Sequence, residues 1–212
     1  DCNVQSPADM LSPGRIGMTA ILPVRFTAMK WYGKGPLETY PDRQCGGRMG
    51  VYSEDVRNQP FYLRPQEYGL HTESRSMRLT DPDRADFVRF EAACPMAMSA
   101  VPYSDLQLWN ARHPFELPAP EALYVHLDYA HRGLGNSSCG PDVLPTYRID
   151  DRPCRFGFAL EAGLGEQEDN PFGPIPEEIP AYHPWKAVGE QDRTPSYRDP
   201  SDPDQRSNAG MV

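Results

Sequence analysis

His126-Leu127-Asp128 sets an imidazole and a carboxylate two residues apart, and His131 follows just beyond. Residues i and i+2 of an extended backbone face the same way, so these side chains converge. Their donor types would serve as half of a metal site. They suit equally the polar side of an amphipathic strand, and the sequence offers no evident third ligand with supporting partners. We expect no metal in this chain. The run continues as HRGLGNSSCGP, in which Ser137, Ser138 and Cys139 are nucleophile types. No GxSxG elbow frames the serines. No neighbouring cation or helix terminus activates the thiol. We read the segment as a tight, glycine-freed loop presenting small polar groups to a ligand.

Acid–base chemistry on a glycosidic bond needs two carboxylates flanking it. Glu38, Asp42, Glu67, Glu73 and Glu91 fall in turns or strands without a recognisable nucleophile or acid motif. We therefore assign no catalytic residue here. The segment Trp31-Tyr32-Gly33-Lys34-Gly35-Pro36-Leu37-Glu38-Thr39-Tyr40-Pro41-Asp42-Arg43 admits two readings. Aromatics beside carboxylates and arginine suit sugar binding, where rings stack and polar groups orient hydroxyls. The same residues suit a structural corner in which Glu38 and Asp42 hold an arginine and Tyr40 anchors the turn.

The elements that must position these groups read as strands. Ile16, Met18, Ala20 and Leu22 alternate with their neighbours; so do Leu123, Val125, Leu127 and Tyr129, and Phe156, Phe158 and Leu160. Phe87–Ala93 is another candidate, as is Ser74–Leu79, whose two arginines we place on one face. Gly33–Pro36, Cys45-Gly46-Gly47, Asp81-Pro82-Asp83 and Cys139-Gly140-Pro141 signal turns between the runs. Ser104 and Asp105 cap one short helical stretch that Pro114 ends. This spacing predicts an all-β, antiparallel sandwich. The 24 prolines require short elements and many turns.

Composition bounds the rest. A net charge of -9 with three lysines argues against nucleic acid. No apolar run approaches the roughly 18 residues of a membrane span, and the opening DCNVQSPADM reads as no signal peptide. Five cysteines without a CxxC pair suggest neither a zinc site nor a disulfide framework, so we expect reduced thiols and a cytoplasmic protein. Composition shifts after Gly163, dividing the chain into a 1–163 sandwich and a 164–212 Pro-rich, acidic tail or linker. Within the tail, PFGPIPEEIPAYHPW could lie as an extended ribbon on an apolar groove.

WYGKGPLETYPDR closely resembles the W-x-G-x-G-P-x-E-x-Y-P-D-R signature of the small-chain domain of family 2 β-galactosidases. RPQEYGLHTESRSMRL, SAVPYSDLQLWNARHPFEL and LDYAHRGLGNSSCGPDVLPTYRI are similar to further blocks of that domain, in the same order. The resemblance implies a twisted sandwich like that of galactose mutarotase. It implies a partner, the catalytic TIM barrel, in the same polypeptide or a large chain, holding both catalytic glutamates and any metal ions; this chain itself calls for no cofactor. It implies a galactoside substrate of the lactose type and makes His131, Asn136, Ser138 and Cys139 the candidate substrate contacts. Cys139 stands where the family places an aromatic, and a thiol gives no stacking platform. The blocks cover the later half of the family's domain, which implies that its earlier strands are absent before Ile16. The rivals are a free-standing carbohydrate-binding module using Trp31, Tyr32 or Trp109, an interaction sandwich, and an aldose mutarotase, which would need a His–Glu pair in a concave cleft.

Overall fold

The computed structural model of the chain describes residues 1–4, 12–63, 67–135, 140–149 and 153–165. In chain order these form β1 (Cys2–Val4), β2 (Arg15–Pro23), β3 (Ala28–Gly35), β4 (Arg48–Asp55), β5 (His71–Thr80), β6 (Phe87–Val101), the helix α1 (Asp105–Asn110), β7 (Ala122–His131), β8 (Cys154–Phe156) and β9 (Phe158–Gly163). Seven strands make one antiparallel sheet in the order β2-β7-β6-β5-β3-β4, with β9 also paired to β6. β1 and β8 form a second, two-stranded sheet. The architecture is all-β and sandwich-like. The expected tail lies, but for its first two residues, outside the described residues.

Alternation sorts the main sheet into two faces. Met98 pairs with Leu127 and Ala100 with Val125, and these point with Met29, Trp31, Met77, Leu79 and Leu123 into one apolar core. Burying each large member stabilises the fold by about 1.5–3 kcal/mol before entropy is counted. Phe156 joins this core from the small sheet, with Cys2, Val4 and Cys154 packed at its margin. The other face is polar where β2, β7 and β6 meet. Thr19, His126 and Ser99 form one cross-strand row, and Gly17, Asp128 and Ala97 the next.

The sequence sets the irregularities. The β2–β7 register shifts between Ile16 and Gly17, which brings Arg15 opposite His131. Only glycine fits there: a Cβ on Gly17 would lie 2.5 Å from the Leu127 carbonyl and 2.6 Å from the Asp128 Cα. Pro95, which lacks an N–H, sits where β6 changes its register against β5.

Several expectations are amended. β1 is a strand before Ile16, paired with β8 from Val4 to Cys154. The single run expected from Phe156 to Leu160 divides at Gly157, with β8 on β1 and β9 on β6. β3 continues through Gly35, beyond the expected start of the turn at Gly33. Arg75 and Arg78, expected on one face, are both partly buried, and the β5–β6 register shifts between Ser74 and Ser76, at Arg75. The helix forms as expected, with a full capping box between Ser104 and Gln107, but ends at Asn110, before His113.

Candidate functional site

The polar face of β2 and β7 leads into a cleft of about 750 Å³ walled by Arg15, Glu67, Asp105, Trp109, His131 and Leu134 among others. Each element contributes for a local reason. The β2 bulge delivers Arg15. His131 ends β7. α1 is fixed by its capping box, which places Asp105 and Trp109 at the rim. Glu67 comes from the segment leading into β5.

Arg15 is the hub. One guanidinium nitrogen donates to Glu67. The other donates to Nδ1 of His126 at 2.7 Å and lies 3.8 Å from Oδ2 of Asp128. An arginine can only donate, so Nδ1 of His126 accepts and the ring is neutral. Burial and the adjacent Arg15 charge depress its pKa to about 4, in agreement. The Thr19 hydroxyl lies 3.1 Å from the same nitrogen.

His131 behaves oppositely. Its Nδ1–H donates to the Arg132 carbonyl at 2.6 Å, which leaves Nε2 aimed at Glu67, 3.4 Å away. Burial resists the charge on this ring, but the Glu67 carboxylate, aided by Asp128, raises its pKa. Burial also resists ionisation of Glu67; His131 and Arg15 overcome it and lower its pKa. Asp128 is nearly sealed from solvent, burial pushes its pKa up to about 7, and its Oδ2 has no hydrogen-bond donor among the described residues. The cleft thus holds the Glu67 carboxylate between Arg15 and Nε2 of His131, two groups of opposite acid–base character side by side.

His126 and Asp128, two residues apart on β7, both face Arg15, and His131 reaches the same cluster through Glu67. Among the expected contacts, His131 lines the cleft; Asn136, Ser138 and Cys139 lie outside the described residues. The loop bearing them leaves from a fixed backbone. Asp42 accepts hydrogen bonds from the amides of Leu134 (3.0 Å) and Gly135 (2.8 Å). Gly135 has φ +61°, and a Cβ there would meet the backbone of Val143 at 2.8 Å.

The aromatic segment is the structural corner of its two readings. Trp31, Tyr32 and Tyr40 are buried and offer no face to a sugar. Tyr40 instead packs edge-on against His131 and bridges to Arg43. Glu38 holds the Gly69 amide at 2.7 Å and pairs with Arg43. Of the three aromatics a binding module would use, Trp109 alone is open, at 58% exposure, and it lines the cleft. Sequence reasoning missed Arg15 and left Glu67 without a role. Arg15 stands one residue before the alternating run from Ile16, and Glu67 lies inside a matched block, so position alone marked both.

The family described as "Beta galactosidase small chain" matches residues 1–160. A β-galactosidase of Staphylococcus xylosus is 31% identical over 156 residues, 72% of this chain and 16% of its own length. One from Arthrobacter sp. (strain B7) is 36% identical, covering 66% of this chain and 14% of the relative. β-Galactosidase BgaC of Bifidobacterium adolescentis is 39% identical, covering 68% and 14%. The chain thus spans about a sixth or less of the length of these relatives.

Proposed function

The chain belongs to the β-galactosidase small-chain family, and on that premise we propose that it is a non-catalytic sandwich completing the galactoside cleft beside a TIM barrel. That barrel, in the same polypeptide or a separate large chain, supplies the nucleophile and the acid/base glutamates for hydrolysis of terminal β-D-galactosyl residues, lactose being the representative substrate. The complex works in the cytoplasm without nucleic acid or membrane.

The observation that carries this reading is the brace from Asp42 to Leu134 and Gly135. It fixes the base of the loop that holds Asn136, Ser138 and Cys139, beside His131. The brace holds the backbone of Leu134 and Gly135, close in sequence to His131, in one place. We assign His131, Asn136, Ser138 and Cys139 as substrate contacts, with Trp109 supplying the aromatic surface that Cys139 cannot. The test is hydrolysis of a chromogenic β-galactoside by the chain alone and mixed with a family 2 barrel chain. Activity only on mixing is expected; activity of the chain alone would refute the proposal.

A second reading is favoured by the Glu67–His131 pair. In a bound aldose, Glu67 would take the anomeric hydroxyl proton while His131 gives one to the ring oxygen. The ring opens, and the reverse transfers close it on the other face with no net proton consumed. Polarimetry of fresh α-D-galactose with the chain alone separates this from the first reading: acceleration lost in Glu67→Gln supports it, and no acceleration sinks it.

A further inference from the structure

A second hollow, of about 540 Å³, lies across the Tyr40–Arg43 corner from the Arg15 cleft, walled by Glu38, Asp42, Glu54, Gln59, Tyr62 and His71 among others. We propose that it is a saccharide-binding pocket; this rests on its own unpaired polar atoms and needs no barrel.

His71 begins β5 and is 1% exposed. Its ring stacks on Trp31 with centroids 3.9 Å apart, so its plane is fixed. Neither ring nitrogen has a hydrogen-bond partner among the described residues; Nε2 lies 3.5 Å from Glu54 without bonding geometry. Gln59 is 8% exposed. Its amide nitrogen donates to Glu54 at 2.6 Å, which fixes the amide orientation and leaves Oε1 without a donor. Gly69, at φ +71°, makes room: a Cβ there would stand 2.8 Å from that oxygen. Three buried polar atoms are thus unpaired on residues of one cavity wall. Buried polar groups in native proteins are nearly always bonded, and such exceptions call for a functional cause.

The chemistry of the three atoms selects the ligand. An imidazole carries at least one N–H donor that needs an acceptor, and the amide oxygen needs a donor. Hydroxyl groups do both and satisfy all three. A guanidinium or ammonium only donates, so it leaves the imidazole N–H unpaired. A carboxylate or phosphate only accepts and would face Glu38, Asp42 and Glu54. Tyr62, 40% exposed, offers a ring face to sugar C–H groups that an acyclic polyol does not match. The volume lies within the range of about 300–1,000 Å³ usual for small-ligand sites.

Trp31 is a built-in probe, because it stacks on His71. In the full chain carrying Trp109→Phe and Trp185→Phe, Trp31 is the only indole. We expect its fluorescence to change saturably with galactose or lactose, and at least tenfold more weakly with glycerol. Gln59→Met, which removes the unpaired oxygen, should weaken binding about tenfold, on the order of one hydrogen bond. His71→Gln, checked by circular dichroism, serves if Gln59→Met fails to fold, and the same loss is expected. No saturable change with either sugar, equal binding of glycerol, saturation by arginine instead, or undiminished binding in the folded variants would overturn the proposal.

Discussion

Replacing Arg15 by methionine removes the hub while keeping most of its volume. The change strips Glu67 of its guanidinium partner, removes the donor to Nδ1 of His126, and takes away the positive charge 3.8 Å from Asp128. Breaking a buried pair costs about 3–5 kcal/mol because a charge is left uncompensated. Here the Arg15 and Glu67 side chains are 24% and 18% exposed, and His131 still faces the carboxylate. Solvent access and that second partner reduce the expected cost to about 2–4 kcal/mol. For a chain of this size that lowers Tm by roughly 5–15 °C. Adding Glu67→Gln removes the stranded charge, so the double variant should be more stable than additivity predicts by about 1–3 kcal/mol. The assay is urea unfolding of the four proteins at neutral pH, read as midpoints at constant slope. His126 gives a second readout: without Arg15 its pKa rises from about 4, measurable by NMR. An Arg15→Met loss within about 0.5 kcal/mol, the range of ordinary surface changes, or strictly additive losses, would refute the hub.

Asp128 and His126 act on stability with opposite signs over the same pH range. Asp128 binds its proton more tightly folded than unfolded between 3.8 and about 7, so it withdraws stability as pH rises; His126 is depressed from 6.5 to about 4, so it withdraws stability as pH falls through that window. Asp128→Asn removes the first term, and the variant should lose more stability than the parent between pH 6.5 and 4, with equal slopes in urea titrations counting against it. Asp42→Ala orphans the Leu134 and Gly135 amides, which should exchange with solvent far faster while stability falls by about 1–3 kcal/mol; unchanged exchange at both amides would exclude the brace.

The strands were legible because period-two alternation is a local signal, and Leu123–Tyr129 shows it without interruption. The Ser104 cap was legible for the same reason, since the capping box spans four residues. Arg15 was not legible as a site residue, because a bulge at Gly17 sets its direction, and a bulge depends on how closely β7 approaches. Glu67 was seen as a carboxylate but not as a partner, since what defines it lies 52 residues away in Arg15 and 64 away in His131. The division at Gly157 escaped too. Alternation marks a strand's faces but not its neighbours, and β8 and β9 choose different ones.

The compact signature from Trp31 to Arg43 makes physical sense as a tie between two hollows rather than as either one's lining. Trp31 fixes the plane of His71, and Glu38 holds the Gly69 amide on the same side. Tyr40 packs on the edge of His131, and Asp42 holds the glycine loop on the other. Thirteen consecutive residues thus set the position of groups that come from β5, β7 and the loop after it. Such a segment tolerates little change because each side chain answers to a different partner, and a shift of the corner moves both walls together. A residue can therefore be strongly specified here while never touching a ligand. On this logic aromatic residues beside carboxylates mark a sugar site only when their faces are open, and in this chain that criterion passes over Trp31, Tyr32 and Tyr40 and selects Trp109 and Tyr62.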